Sequence, residues 1–182
     1  MIRLASSSQT RAQILREAGV EFLQESVDFD EDSIVASSPK SFVYKATLGK
    51  YEVNLKVFGC SDFPLLVADT VVSANGKILR KANSVDEARE ILLMQSGNSV
   101  TITTCMIYQS PKIKIIDIST TEYLFADFDT VELEAYLKGT DWIGKAGACM
   151  VEGFCKPYIK SVKGYESTAM GLSLEILKRF II

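Results

Sequence analysis

The sequence predicts a mixed α/β fold, with a strongly twisted central sheet flanked by helices. Three observations predict it. Runs of strand length at Phe63 to Val67, Val100 to Tyr108 and Ile113 to Phe125 alternate with amphipathic stretches that open on helix caps. No repeat, low-complexity tract or flexible linker breaks the chain. With 182 residues, 47% of them hydrophobic, the chain can bury a sizeable core as one domain or as two closely packed lobes.

The elements follow in order. Ile2 to Ala5 reads as a short apolar strand, and after a Ser-rich turn a helix runs from about Gln9 to Ala18, with Ser8 or Thr10 as its cap and Gly19 as its stop. Val20 to Ser26 reads as a second strand, and Asp28 to Asp32 as an acidic loop carrying Glu31. Ser38 and Pro39 open a helix to about Val53, which places Lys50 near its C-terminus. The apolar run Phe63 to Val67 ends in Ala68, Asp69 and Thr70, as a buried strand does when its tip enters a site, and the chain then turns at Asn75-Gly76. Ser84 with Glu87 forms a capping box for a helix that reaches Gln95 and stops at Gly97. Val100 to Tyr108 and Ile113 to Phe125 form a long hairpin, Asp129 caps a helix ending near Gly139, and a Gly-rich stretch from Gly144 to Gly153 leads to a strand at Tyr158 to Val162. A last amphipathic helix spans about Gly171 to Phe180.

Composition limits the chemistry. The chain has no histidine, which removes Ser-His-Asp triads, Cys-His pairs and HExxH zinc sites together. Hydrolysis would have to run on carboxylates, lysines and a metal held by oxygens, hence magnesium or manganese. Cys60, Cys105, Cys149 and Cys155 lack zinc-site spacing and read as ordinary thiols. A net charge of −3 argues against gripping a nucleic acid polymer, and neither a secretory leader nor a run of membrane-span length is visible, so a cytoplasmic protein is expected.

Several segments carry candidate chemistry. Leu4 to Arg11 places hydroxyls and amides between a strand and a helix N-terminus, an arrangement suited to anions, with Arg11 one turn in and expected to lie exposed in a cleft and fork onto a phosphate. The GxxxxGK[ST] pattern of a P-loop is missing. Asp69 at a strand end could hold a metal or activate water, Lys50 and Lys81 could meet phosphate, and Glu31 could hold a metal. Taken singly, each is most simply a cap, a turn residue or a solvated charge.

Together, and in order, LASSSQTR, VADTVV with NGKILRK, SVDEAREILLMQSG, KAGACMVEG and VKGYESTAMGLSLEIL resemble the blocks of the Maf family of nucleotide pyrophosphatases, also called septum-formation inhibitor homologues. The resemblance covers essentially the whole chain. It implies that residues 1–182 are a single domain of two lobes around a cleft, as in inosine triphosphatase-like folds. The implied activity cuts the α–β phosphoanhydride of a nucleoside triphosphate with a divalent metal; a nucleotide-sensing regulator of septum formation is the alternative. It makes Asp69 the catalytic carboxylate with Glu31 and Lys50 beside it, Asp69 and Glu31 the metal ligands, and Ser6, Ser8, Arg11 and Lys81 the phosphate contacts. Thr10, Thr70 and Glu152 fall at base-reading positions.

The sequence departs from the family pattern at Gln9, Thr10, Ala82 and Ser173. Thr10 stands where many members carry arginine, and Glu152 resembles a subgroup acting on methylated guanosine triphosphate, whereas Lys81 fits the subgroup preferring thymidine and uridine triphosphates. The preferred base therefore stays open. A homodimer is common in the family.

Overall fold

The polar residues that precede the helices act as their caps. In the computed structural model, which describes residues 1–31 and 33–181, Ser8 accepts from the Arg11 amide and opens α1 (Gln9–Glu17), and Ser38 accepts from Ser41 at the start of α2 (Pro39–Phe58). Ser84 accepts from Glu87 before α3 (Val85–Gln95), and Asp129 accepts from Val131 and Glu132 before α4 (Thr130–Lys138). The strands are β1 (Ile2–Leu4), β2 (Phe22–Gln24), β3 (Leu65–Ala74), β4 (Lys77–Leu79), β5 (Ser99–Gln109), β6 (Lys114–Phe125) and β7 (Ile159–Lys163). A 3-10 turn at Lys156–Tyr158 leads into β7, and α5 (Glu166–Ala169) and α6 (Leu174–Ile181) close the chain.

The strands form one mixed sheet in the order β2-β1-β3-β5-β6-β7, with β4 pairing β3 off this path. The pairs β1–β2 and β1–β3 are parallel, and the others antiparallel. Asn75 at φ 49 and Gly76 at φ 75 form the tight turn between β3 and β4, as the Asn-Gly pair predicts.

Four sequence expectations change. β2 is shorter than Val20 to Ser26, because it pairs in parallel with β1, which offers only three residues. α2 runs five residues beyond Val53: nothing breaks the helix before Gly59 at φ 63, and Leu55 continues the apolar stripe of Leu48 and Tyr51. Lys50 therefore sits in the helix interior, and a C-terminal dipole does not account for it. Asp69 is in mid-strand, not at a tip, because β5 pairs with β3 from Leu65 through Ala74. The last helix begins at Leu174, after the separate short helix α5 and a turn at Gly171 with φ 106.

Alternation along β3 divides the core. Leu65, Val67 and Val71 pack under α2 with Tyr51, Phe42, Val43 and Ala46. On the other face, Leu66 and Ala68 join Ile14, Leu15, Leu172 and Leu177 beneath α1 and α6, whereas Val72 and Ala74 join Leu92, Phe125, Leu133 and Leu137 beneath α3 and α4. Two lobes thus share one pair of long strands. The boundary between them falls at Asp69 and Thr70. Among the described residues, no helix is long and apolar enough to cross a membrane.

The Gly-rich stretch crosses β3 at close range. A Cβ on Gly147, whose φ is 66, would lie 2.9 Å from Val72 Cγ1. Gly147→Ala is expected to cost about 1–3 kcal/mol through backbone strain and overpacking. At roughly 2–4 °C per kcal/mol for a chain of this size, a thermal melt reads the loss directly; an unchanged melting temperature would refute the close approach.

Candidate active site

On the β1 side, strand pairing of β3 stops at Leu66, and β4 takes over only at Val72. Asp69 and Thr70 lie in that gap, beyond the carboxyl end of β1, where open α/β sheets place ligands. Alternation sends their side chains to opposite faces of the sheet.

Asp69, only 7% exposed, meets α2. Lys50 Nζ donates to Asp69 Oδ1 at 2.6 Å and lies 2.5 Å from Glu31 Oε1, so one ammonium bridges two carboxylates. Asp69 Oδ2 is buried and has no partner. Cys105, opposite Asp69 in the β3–β5 register, has its thiol pushed up to about 11, first by burial, and stays neutral beside the carboxylate.

Thr70 meets α1. Arg11 Nη2 donates to Thr70 Oγ1 at 3.1 Å, Thr70 and Thr104 hydroxyls lie 2.9 Å apart, and Thr104 donates to the Thr168 carbonyl at 2.7 Å. Because a carbonyl only accepts, the proton direction is fixed: Arg11 to Thr70 to Thr104 to Thr168. The Thr70 proton is thereby committed inside the protein.

Arg11 departs from expectation. Its Nε donates to the Gly171 carbonyl at 2.7 Å and its Nη1 to Ser6 Oγ at 3.0 Å, in addition to Thr70. Instead of lying free in the cleft, it joins the turn after β1, β3 and the turn before α6. Burial pulls its guanidinium below the ordinary value, against the opposing pull of Asp69 and Glu31.

The three bonds of Arg11 have a consequence for the serines. Ser6 Oγ accepts from both Arg11 Nη1 and the Ser8 amide, and Ser8 Oγ accepts from the Arg11 amide. Among the described residues neither hydroxyl donates to a protein group, so both protons are available to an anion. α1 carries no acidic residue in its first turn, so its N-terminus offers positive potential there.

The opposite wall is the stretch from Ile143 to Glu152. It is stitched to the strand side by the Lys81–Ala146 bridge, by the Gly147 amide donating to the Arg80 carbonyl at 3.1 Å, and by Gln95 Nε2 donating to the Gly147 carbonyl at 2.7 Å. Lys81 is exposed on the rim. Lys145 Nζ lies 3.3 Å from Glu152 Oε1. Cys149 lines the same wall, 3.4 Å from Cys155 between sulfurs, and that hydrogen bond together with burial holds its thiol well above the usual range.

One cavity of about 590 Å³ joins these walls, and Ser6, Ser8, Thr10, Arg11, Glu31, Lys50, Asp69, Thr70, Lys81 and Glu152 all line it. So do Phe29, Asn54, Lys145 and Gly171, which the sequence reading did not single out. Lys145 lies inside the KAGACMVEG block and was legible there as the charge nearest Glu152. Asn54 carried no signal, because the helix that holds it was expected to end before it. Asp32, the last residue of the acidic loop, lies outside the described residues.

The sequence profile described as "Maf-like protein" matches residues 1–182. The chain belongs to the Maf-like protein family. Curated relatives of this Maf-like chain include a protein of a Nitratiruptor species, 53% identical over 97% of this chain and 96% of its own length. Another, from Helicobacter pylori, is 39% identical over 94% of this chain and 90% of its own length, and one from Campylobacter jejuni is 37% identical over the full length of both. Each of the three is named nucleoside triphosphate pyrophosphatase.

Because the Arg11 fork holds three oxygens from three segments, Arg11→Lys keeps the charge and loses the geometry. The loss of a charged hydrogen bond costs about 1.5–3 kcal/mol, so this variant is expected to melt several degrees lower as well as to bind anions less well. Calorimetry separates the two outcomes: parental stability would mean that the fork does not brace the site.

Proposed function

We propose that this Maf-like protein hydrolyses a nucleoside triphosphate between its α and β phosphates, releasing a nucleoside monophosphate and pyrophosphate. The observation that carries the reading is the unpartnered Oδ2 of Asp69, whose Oδ1 is held by Lys50, in the same cavity as a helix N-terminus with two donor hydroxyls. The names of the full-length relatives support it.

Phosphoryl transfer asks the protein for placement and charge, not for a covalent partner, so a histidine-free site suffices. Asp69 Oδ1 is engaged by Lys50, which leaves Oδ2 to accept the proton of the attacking water. Ser6, Ser8 and the first amides of α1 donate to phosphate oxygens, and Lys50 and Lys81 offset their charge. Glu31 keeps Lys50 between two carboxylates, which fixes the ammonium in position.

The residues present fit a divalent cation. Asp69 Oδ2 is a buried oxygen without a partner and Glu31 is the second carboxylate; hard cations of the magnesium type commonly take one or two carboxylates together with substrate phosphates and water. Among the described residues, no three Cys, Asp or Glu side chains converge, so phosphate and water would complete the shell. Bound there, the cation would neutralise charge developing on the phosphates. Thr10 at the start of α1 and Glu152 on the opposite wall, both lining the cavity, are assigned to base selection.

Asp69→Asn tests the assignment. This variant is expected to stay folded, still bind nucleotide and lose roughly hundredfold or more in turnover, the scale of general-base catalysis. Pyrophosphate and monophosphate should be the parental products, and EDTA should stop the reaction until magnesium or manganese is restored. Orthophosphate as first product, or near-parental turnover by folded Asp69→Asn, would end the reading. On the base side, Glu152→Gln with Thr10→Arg should re-rank a panel of nucleoside triphosphates towards thymidine and uridine forms; an unchanged ranking would remove both residues from base selection.

A further inference from the structure

Glu31 sits on a loop, yet its carboxylate is held against Lys50 as closely as that of Asp69, which sits on a buried strand. Something must fix that loop. Two residues of α2 do so, one on either side of Lys50.

The first is Gly49. It lies inside a twenty-residue helix, where glycine costs about 1 kcal/mol relative to alanine. Helical geometry does not call for it, and the positive-φ positions of the chain do not include it. Its reason is space: a Cβ on Gly49 would fall within 2.7 Å of three carbons of the Phe29 ring. Real Cβ atoms do not approach so closely, so the Phe29 ring fills the place a side chain would take. Phe29 stands two residues before Glu31.

The second is Asn54, 1% exposed and one turn after Lys50. Its Oδ1 accepts from the Val27 amide at 2.8 Å, and its Nδ2 donates to the Val27 carbonyl at 3.3 Å and to the Lys50 carbonyl at 2.7 Å. A single buried amide thus ties the base of the loop to the helical turn that presents Lys50.

We infer that Gly49, with Phe29 seated on it and Asn54 clamping Val27, is a positioning device that sets the Glu31 carboxylate against Lys50 and Asp69. This deepens the proposed reaction and rests on that reading, since it gives Glu31 a required role. Phe29 and Asn54 line the cavity, and none of the three is assigned a chemical part in the reaction. Their effect is on where the second carboxylate stands, and misplacement of about 1 Å in such a site can cost up to roughly hundredfold in rate.

The experiment is Gly49→Ala, with Phe29→Leu and the double variant. Alanine favours the helix, so the melting temperature of Gly49→Ala should hold or rise, while its added methyl displaces Phe29 and the loop. Turnover is expected to fall by roughly ten- to a hundredfold, with KM for the nucleotide within about threefold, because the phosphate contacts on α1 are untouched. Leucine is shorter than the ring and leaves room for the methyl. The double variant should therefore match Phe29→Leu alone and not multiply the two losses. Parental turnover by Gly49→Ala overturns the inference, and so does a double variant that loses more rate or stability than Phe29→Leu alone. Glu31→Gln, assayed beside them, separates the two levels of the claim. If Glu31→Gln keeps parental turnover, the proposed role of Glu31 falls and the positioning inference with it. If Glu31→Gln is inactive while Gly49→Ala is not, only the positioning inference falls.

Discussion

The ion pair between Asp69 and Lys50 is the constraint around which the rest of the molecule is arranged. A carboxylate in the middle of a buried strand loses its hydration, at an effective cost of several kcal/mol, and is tolerated only with an opposite charge in good geometry. Lys50 supplies that charge at 2.6 Å. To do so, α2 must cross β3 and β5 in one register. The apolar contacts of Phe42, Val43, Ala46 and Tyr51 with Val71, Cys105, Leu65 and Ile107 fix that register, and Thr47 Oγ1 lies 3.4 Å from the Cys105 carbonyl, directly opposite Asp69 in the strand pair. The length of α2 follows from the same demand. A helix ending at Val53 would lack Asn54 and Leu55, and with them both the clamp on the Glu31 loop and the last apolar contact beneath Lys50.

Local chemistry made much of the fold legible in the sequence. The caps at Ser8, Ser38, Ser84 and Asp129, the Asn75-Gly76 turn and the break between Tyr108 and Ile113 in the long hairpin are short-range signals, and all of them stand where the residues indicate. What the sequence could not show is set by partners distant along the chain. β2 is cut short by β1, and β3 is carried past Asp69 by β5, whose residues lie some thirty positions away. The end of α2 was missed because polar Asn54 interrupts the apolar pattern. It is polar because it serves a loop more than twenty residues earlier, not because the helix stops.

The site divides along similar lines. Residue type and order brought Asp69, Glu31, Lys50, the serines and Lys81 to notice, and the fold gathers them on one cavity. The inward commitment of Arg11 and Thr70 was not legible. An arginine in the first turn of a helix reads as an anion contact, and nothing local indicates that the carbonyl of Gly171 will arrive to receive it. A hydroxyl next to Asp69 reads as ligand-facing, and only the β5 register, which sets Thr104 beside it, turns its proton inward. In both cases a residue whose type suits a ligand, and which lines the cavity, also holds others in place.

That division also decides what in this site can move. Asp69 lies on a strand paired with β5 from Leu65 to Ala74, and the same two strands run on beneath both lobes. A hinge between the lobes would have to bend or break this ladder, at the cost of buried backbone hydrogen bonds. The wall from Ile143 to Glu152 is attached differently: no sheet ladder runs through it, and besides the Lys81 bridge and the bonds to Arg80, Gln95 and Tyr136 it is anchored by Ala148 and Val151, which are buried in the core beneath α3 and α4. On the proposed reading, base selection draws on Glu152 of that wall and on Thr10 of α1, elements other than the β3–α2 pair that holds Asp69 against Lys50. On that reading, the contacts to the base can change without disturbing the Asp69–Lys50 pair.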